Sequence, residues 1–194
     1  MNVLLLTPRP YLLTQPIIKS GDDYEIAMGP PDVWPEEVDF IVSFGYRHKI
    51  KEPQLSKYRD RMINIHISML PWNRGADPNF WSWFDNTPKG VSVHLVDKGW
   101  DTGNVIMQME VTKWREAETL KSSYDFLTDC ASKLFALEWE RFRSGDWFVT
   151  HLKTDGSYHR TADKEQWMAQ LPLGWDTPVK DVVELGELSR AKIQ

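Results

Sequence analysis

The sequence predicts an α/β fold in which a mostly parallel sheet is flanked by helices, with a C-terminal hairpin after it. Residues 3–6 and 39–44 are continuous apolar runs bounded by turn residues, the pattern of strands buried on both faces. Residues 62–67 alternate isoleucine with polar side chains, the period of a half-buried strand. Past Thr119, Leu120, Tyr124, Leu127, Ala131, Leu134 and Glu138 recur at spacings of three and four, and Phe126, Cys130, Phe135 and Leu137 widen the stripe. That is one long amphipathic helix reaching about Arg143, with Gly145 as its stop.

The remaining elements can be placed in chain order. Thr7-Pro8-Arg9-Pro10 cuts off the first strand, and Pro16, Gly21, Gly29, Pro30, Pro31 and Pro35 make the next stretch poor in helix, with a weak strand over residues 24–27. A short helix is expected over residues 52–58, Pro53 standing in its first turn. In the strand over residues 62–67, period two places Ile63, Ile65 and Ile67 on one face and Asn64, His66 and Ser68 on the other. Asp77-Pro78 reads as an N-cap and a first-turn proline opening a helix through Phe84. Strands are expected over residues 90–96 and 104–111, joined by a loop over 98–103. Residues 147–152 and 157–160 flank Thr154-Asp155-Gly156, a hairpin signal, and residues 171–178 read as irregular. The chain is thus expected to have a main unit over residues 1–145, with a hairpin and tail over 146–194 packed on the same domain.

Composition narrows the function. The 28 acidic and 23 basic side chains leave a net charge of −5, which argues against a broad nucleic-acid or anionic-membrane surface. A single cysteine, Cys130, excludes an internal disulfide framework and a Cys-rich zinc site and fits a reducing, cytoplasmic setting. The apolar run over 3–6 is too short for a signal-peptide core, and no stretch approaches the roughly 20 apolar residues that span a bilayer, so a soluble protein is expected. The odd feature is 10 tryptophans among 194 residues. Such large flat side chains must be buried or used on a ligand.

Asn64 and His66 share a strand face with Cα atoms about 6 to 7 Å apart. Taken alone, such a pair is most often two satisfied polar side chains. Three sequence blocks change that reading: Asn64-Ile65-His66-Ile67-Ser68-Met69-Leu70-Pro71, then Gly90-Val91-Ser92-Val93-His94, then Asp101-Thr102-Gly103. In this order and spacing they resemble the N10-formyltetrahydrofolate-dependent formyltransferases, whose pattern is Asn-x-His-x-Ser-x-Leu-Pro, Gly-x-Ser/Thr-x-His and Asp-x-Gly. The wording from Leu70 to Trp81, with Ser43-Phe44-Gly45-Tyr46-Arg47 before it, looks most like the sugar N-formyltransferase branch.

The resemblance implies a shortened Rossmann-like formyltransferase domain with Asn64, His66 and Asp101 as the catalytic trio and His94 as a supporting or direct partner. The chemistry is consistent with that set. Formyl transfer to an amine builds negative charge on a carbonyl oxygen, and a preorganised donor there is worth about 10² to 10³ in rate. Asn64 offers an amide N–H and His66 a second donor when charged, while Asp101 suits favouring the charged imidazole and accepting or relaying the amine proton. The resemblance places the folate pocket at Phe44, Gly45, Tyr46, Arg47, His48, Ile50, Val96 and Asp97. A nucleotide-linked amino sugar would meet Arg9, Trp72, Arg74, Asp77, Asn79, Trp81 and His94, with Arg160 and Lys153 as further diphosphate partners. Trp72, Trp81, Trp83 and Trp100 are the tryptophans expected to wall the site. No metal is implied, and the hairpin with the Trp-rich tail is a candidate homodimer surface.

Departures from the pattern sharpen the substrate. Asn64 comes much earlier than in full-length members, so part of the first βαβα region is expected to be missing. The Gly-rich phosphate loop of the glycinamide ribonucleotide enzymes is replaced by Thr7-Pro8-Arg9-Pro10, whose prolines have no N–H to donate. The C-terminal domain of the tRNA enzyme and the regulatory domain of a formyltetrahydrofolate hydrolase are likewise expected to be missing. A dTDP- or UDP-linked 4-amino-4,6-dideoxy sugar is the expected acceptor. The alternatives are a formyltetrahydrofolate hydrolase and a non-catalytic folate or nucleotide-sugar binding module.

Overall fold

The computed structural model describes residues 1–31, 34–115, 118–152 and 156–191. Its strands are β1 (Asn2–Leu6), β2 (Asp23–Ala27), β3 (Phe40–Phe44), β4 (Met62–His66), β5 (Arg74–Gly75), β6 (Gly90–Leu95), β7 (Val105–Glu110) and β8 (Tyr158–His159). Its helices are α1 (Thr14–Lys19), α2 (Gln54–Lys57), α3 (Pro78–Phe84), α4 (Leu120–Ser144), α5 (Glu165–Met168) and α6 (Val179–Ala191). The main sheet has the order β2-β1-β3-β4-β6-β7. β1 to β4 run parallel, whereas β6 and β7 are antiparallel to their neighbours. This is the expected α/β architecture with a mostly parallel sheet.

The apolar runs explain the layers. Val3, Leu5, Val42, Ile63, Ile65 and Val93 point to one face, where Leu127, Ala131, Phe135, Trp139 and Phe142 of α4 cover them. Leu4, Leu6, Ile41 and Met62 point to the other, under Val38, Ile50 and Tyr58. Thr119 caps α4 by accepting the Ser122 N–H, and Gly145 ends it at a φ of +74°. Positive φ is the conformation glycine adopts without steric cost. A satellite core of Phe80, Trp83, Phe84, Leu120, Leu171 and Val182 joins α3, the start of α4 and the tail.

Several local expectations are corrected. The region before β2 does form a helix, α1, because Pro16 and Ile17 are buried there. Leu137 and Phe126 are 80% and 41% exposed, so the stripe of α4 runs instead through Trp139 and Phe142. The C-terminal hairpin is absent among the described residues: Thr150 bridges Val105, and β8 lies parallel to β5. An isolated two-stranded ribbon is marginal in water, and each flank finds a partner in the body of the fold. Lys153, Thr154 and Asp155 lie outside the described residues. The tail carries an unanticipated helix, α6, docked on the end of α3. There a Cβ on Gly186 would meet the Phe84 carbonyl oxygen at 1.9 Å, and Arg190 donates to that same oxygen at 2.7 Å.

Candidate active site

A cleft of about 950 Å³ opens at the carboxyl ends of β1, β3 and β4, the edge where parallel α/β sheets bind ligands. Arg9 follows β1, Gly45 to Ile50 follow β3, and Asn64 and His66 belong to β4 itself. The antiparallel register sets Asn64 opposite His94 and His66 opposite Ser92. Strand pairing alone therefore brings the first two motif blocks together. Asp101 arrives on the loop between β6 and β7 with a φ of +52°, a conformation Asp tolerates better than most residues.

The four side chains form one network. The Asn64 amide donates to Asp101 Oδ1 at 3.0 Å and lies 3.1 Å from His94 Nε2. His94 Nδ1 lies 2.8 Å from the Leu95 carbonyl, which can only accept, so Nδ1 carries hydrogen, and Nε2 stands 3.1 Å from the Asn64 amide nitrogen and 3.3 Å from Asp101 Oδ1. The bond to Asp101 orients the Asn64 amide. His66 Nε2 lies 2.9 Å from the Asn73 carbonyl, so it too carries hydrogen, and His66 Nδ1 faces Asp101 Oδ2 at 3.7 Å. Gly75 N–H donates to Asp101 Oδ2 at 2.8 Å. Burial alone would push the Asp101 carboxyl up. The facing His66, the His94 contact and the Gly75 N–H outweigh burial and hold it well below the usual carboxylate range.

The sequence-named mouth residues Phe44, Gly45, Tyr46, Arg47, His48, Ile50, Val96 and Asp97 all line the cleft. Asp97 accepts from Gly99 N–H and the Thr102 hydroxyl, shaping the loop that delivers Asp101. Lys49 lies over the Trp100 ring across this mouth. Backbone-rich walls with Ile50 and Val96 as apolar surface suit a flat heterocycle with edge donors and acceptors, as a pterin is. Among the described residues, no group of three or more His, Cys, Asp or Glu side chains is arranged to hold a metal ion.

The substrate-side expectations divide. Arg9, Asp77 and His94 line the cleft, whereas Trp72, Arg74, Asn79 and Trp81 do not. The Trp72 N–H closes a turn onto the Met69 carbonyl. Arg74 directs its Nε toward the Ser157 carbonyl. Asn79 is buried and donates to the Leu120 carbonyl while accepting from Ser123, tying α3 to α4. Trp81 stacks flat on His159 with centroids 3.9 Å apart, so it backs the cleft wall rather than forming it. Trp83 donates to Ser123 in the satellite core, which leaves Trp100 as the one of the four expected tryptophans that lines the cleft. Asp77 stands before α3 but makes no side-chain cap; its carboxylate pairs with Lys164 at 2.6 Å.

The opposite wall was not foreseen from motifs. It comprises Tyr124, Tyr158, His159, Arg160, Thr161, Lys164 and Trp175. Of these only Arg160 was named from the sequence as a possible substrate contact; Tyr124 was expected in the apolar stripe of the long helix. Arg9 Nη2 donates to the Tyr124 hydroxyl and stacks over its ring. Lys164 lies over Trp175, which in turn packs edge-on to Tyr124. Cations and aromatic faces alternate along this side.

Comparison with known proteins fits the geometry. Residues 31–137 match the formyl transferase family. The chain is 39% identical to the formyltransferase PseJ from Anoxybacillus kamchatkensis, solved in complex with UDP-4,6-dideoxy-4-formamido-L-AltNAc and tetrahydrofolate. The two superpose with a TM-score of 0.90 over 96% of this chain and 100% of that one. It is 32% identical over 120 residues to a methionyl-tRNA formyltransferase of Lachnospira eligens, covering 61% of this chain and 37% of that protein. It is 27% identical over 133 residues to a dTDP-4-amino-4,6-dideoxyglucose formyltransferase of Mycobacterium tuberculosis, covering 68% of this chain and 55% of that protein. The chain thus spans 37% and 55% of the length of these two curated relatives. No helix among the described residues is long and apolar enough to cross a membrane. With the family matched over more than half its length, the chain belongs to the formyl transferases.

Proposed function

We propose that this chain transfers a formyl group from N10-formyltetrahydrofolate to the amine of a UDP- or dTDP-linked 4-amino-4,6-dideoxy sugar, with residues 1–145 and 146–194 working as one catalytic unit. The observation that carries the reading is the two-sided cleft. The network of Asn64, His66, His94 and Asp101 sits in it together with a backbone-rich mouth and a wall of Arg9, Arg160, Lys164, Tyr124 and Trp175. Cations suit a diphosphate and aromatic faces suit a base. The likeness to PseJ, whose complex holds a UDP-linked formamido sugar and tetrahydrofolate, supports the same assignment.

Residues 44–50 and 96–101 would hold the folate, which supplies the formyl carbon when bound. The chain's own groups prepare the amine and the carbonyl oxygen. A carboxylate held as low as Asp101 takes up a proton poorly, so its part is electrostatic: it faces His66 Nδ1 and orients the Asn64 amide. Proton carriage falls to His66 Nδ1, the ring atom that faces Asp101 while Nε2 is tied to Asn73. The Asn64 amide is held on Asp101 Oδ1 and the two His66 nitrogens face the Asn73 carbonyl and Asp101 Oδ2, so donation from either side chain to a substrate oxygen requires exchanging one of these partners.

The test is formyl release from N10-formyltetrahydrofolate with and without UDP- and dTDP-linked amino sugars, and with methionyl-tRNA. Release that requires an amino sugar and yields the formamido product is the expected result. Release that ignores the amine would mean a hydrolase, release only with methionyl-tRNA would reassign the acceptor, and tight folate binding without turnover would mean a binding module.

A further inference from the structure

The loop between β4 and α3 touches both halves of the central pair. The Asn73 carbonyl receives His66 Nε2–H, and the Gly75 N–H is given to Asp101 Oδ2. These two contacts decide which His66 nitrogen faces the cleft and where the carboxylate stands. Asn73 itself is fully buried with a φ of +58°, so its carbonyl direction is not the one an isolated loop would favour.

What holds that loop is the C-terminal segment. The Ser157 hydroxyl accepts the Asn73 N–H at 2.8 Å and donates back to Asn73 Oδ1 at 3.2 Å. Asn73 Nδ2 donates to Thr87 Oγ1 at 2.7 Å, which completes the partners of this buried residue. On either side, Ser157 N–H donates to the Pro71 carbonyl, and Arg74 N–H and Ala76 N–H donate to the Ser157 and His159 carbonyls. A Cβ on Gly75 would meet the His159 carbonyl oxygen at 2.4 Å, so the two chain segments approach as closely as backbone allows.

We infer that Ser157, from the C-terminal segment and acting through Asn73, is a positioning residue that keeps the hydrogen of neutral His66 on Nε2 and leaves Nδ1 turned to Asp101. Either neutral tautomer sets two acceptors against each other, Nε2 against the Asn73 oxygen at 2.9 Å or Nδ1 against Asp101 Oδ2 at 3.7 Å, and the closer pair decides for hydrogen on Nε2. Hydrogen on Nδ1 would also give up the proton-accepting atom on the cleft side. Losing the Ser157 hydroxyl strands the buried Asn73 N–H and side-chain oxygen, which loosens Asn73 and the carbonyl it aims at His66, although the Arg74 N–H stays bonded to the Ser157 carbonyl. Thr87 acts on the same residue from the other side.

The kinetic arm of the test rests on the formyl-transfer reading; the spectroscopic arm does not. In ligand-free protein labelled with ¹⁵N-histidine, long-range ¹H–¹⁵N spectra report the tautomer of His66 directly. The wild type is expected to show the Nε2–H form, and both Ser157→Ala and Thr87→Val a mixture with Nδ1–H. With an amino-sugar acceptor, Ser157→Ala is expected to lower kcat about 10-fold or more with KM for both substrates unchanged, as for a small misplacement of a reacting group. Ser157→Thr, which keeps the hydroxyl, is expected to recover both readouts. A pure Nε2–H tautomer in folded Ser157→Ala and Thr87→Val would overturn the inference, as would a kcat loss in which His66 does not change. A tautomer shift in a protein that turns over no amine would uphold the positioning role and sink the proposed function instead.

Discussion

The two sides of the cleft are built by opposite means. On one, Asn64, His66 and His94 project from adjacent strands, and the hydrogen-bond register of β4 and β6 dictates their separation. On the other, Tyr158, His159, Arg160, Lys164 and Trp175 come from a two-residue strand, short turns and irregular chain, anchored by stacking and ion pairs. The first side tolerates little adjustment, as the reacting groups of a site require. The second is the kind of surface on which acceptor specificity can change without disturbing chemistry.

The largest expected effect comes from breaking the rigid side. His66→Ala or Asn64→Ala is expected to lower kcat by at least about 10²-fold with the fold retained, measured by steady-state kinetics beside circular dichroism. Near-wild-type rates in both would remove the strand-borne centre from the mechanism. Next is Asn79→Ala, at a motif position that the structure takes out of the cleft. It should cost about 1 to 3 kcal/mol in urea unfolding, because Leu120 O and Ser123 lose a buried partner, while KM values stay put. A selective rise in sugar KM would return Asn79 to the binding surface.

Smaller effects probe the irregular side. Lys164→Ala should raise KM for the nucleotide sugar about 10-fold, near 1.4 kcal/mol, and leave the folate KM unchanged. Equal changes in both would mean that Lys164 only holds the wall through Asp77. The gentlest probe is pH. Because Asp101 is held low in the folded chain, its stabilisation is complete above about pH 4 and is lost as pH falls below that, where the unfolded carboxyl takes up a proton first. Urea midpoints should therefore drop less steeply on acidification in Asp101→Asn than in the wild type, and parallel profiles would contradict the depressed carboxyl.

Legibility divided along the same line. The alternation of Met62 to His66 was enough to put Asn64 and His66 on one face, because strand period is a local property. Thr119 and Gly145 likewise announced the ends of α4. Local signals misled wherever a longer-range partner was better: Asp77 forgoes its cap for Lys164, and the flanks of the expected hairpin pair with β5 and Val105. Of the tryptophans, Trp81 and Trp83 sit in the motif region yet belong to the satellite core, while Trp175, far from any motif, lines the cleft. Nothing in the spacing of an aromatic residue tells which neighbour will cover it.

The sequence by itself determined the sheet, the long helix and the chemical character of the centre. Those depend on period, on capping and on a donor, an imidazole and a carboxylate standing in a recognisable order. Only the tertiary structure decided which ring nitrogen of His66 faces the cleft, that the Asn64 amide is held on Asp101, and that Tyr158, His159, Arg160, Thr161, Lys164 and Trp175 join the second wall. Each of these rests on contacts between segments far apart in the chain, whose free energy exists only once the core has brought them together.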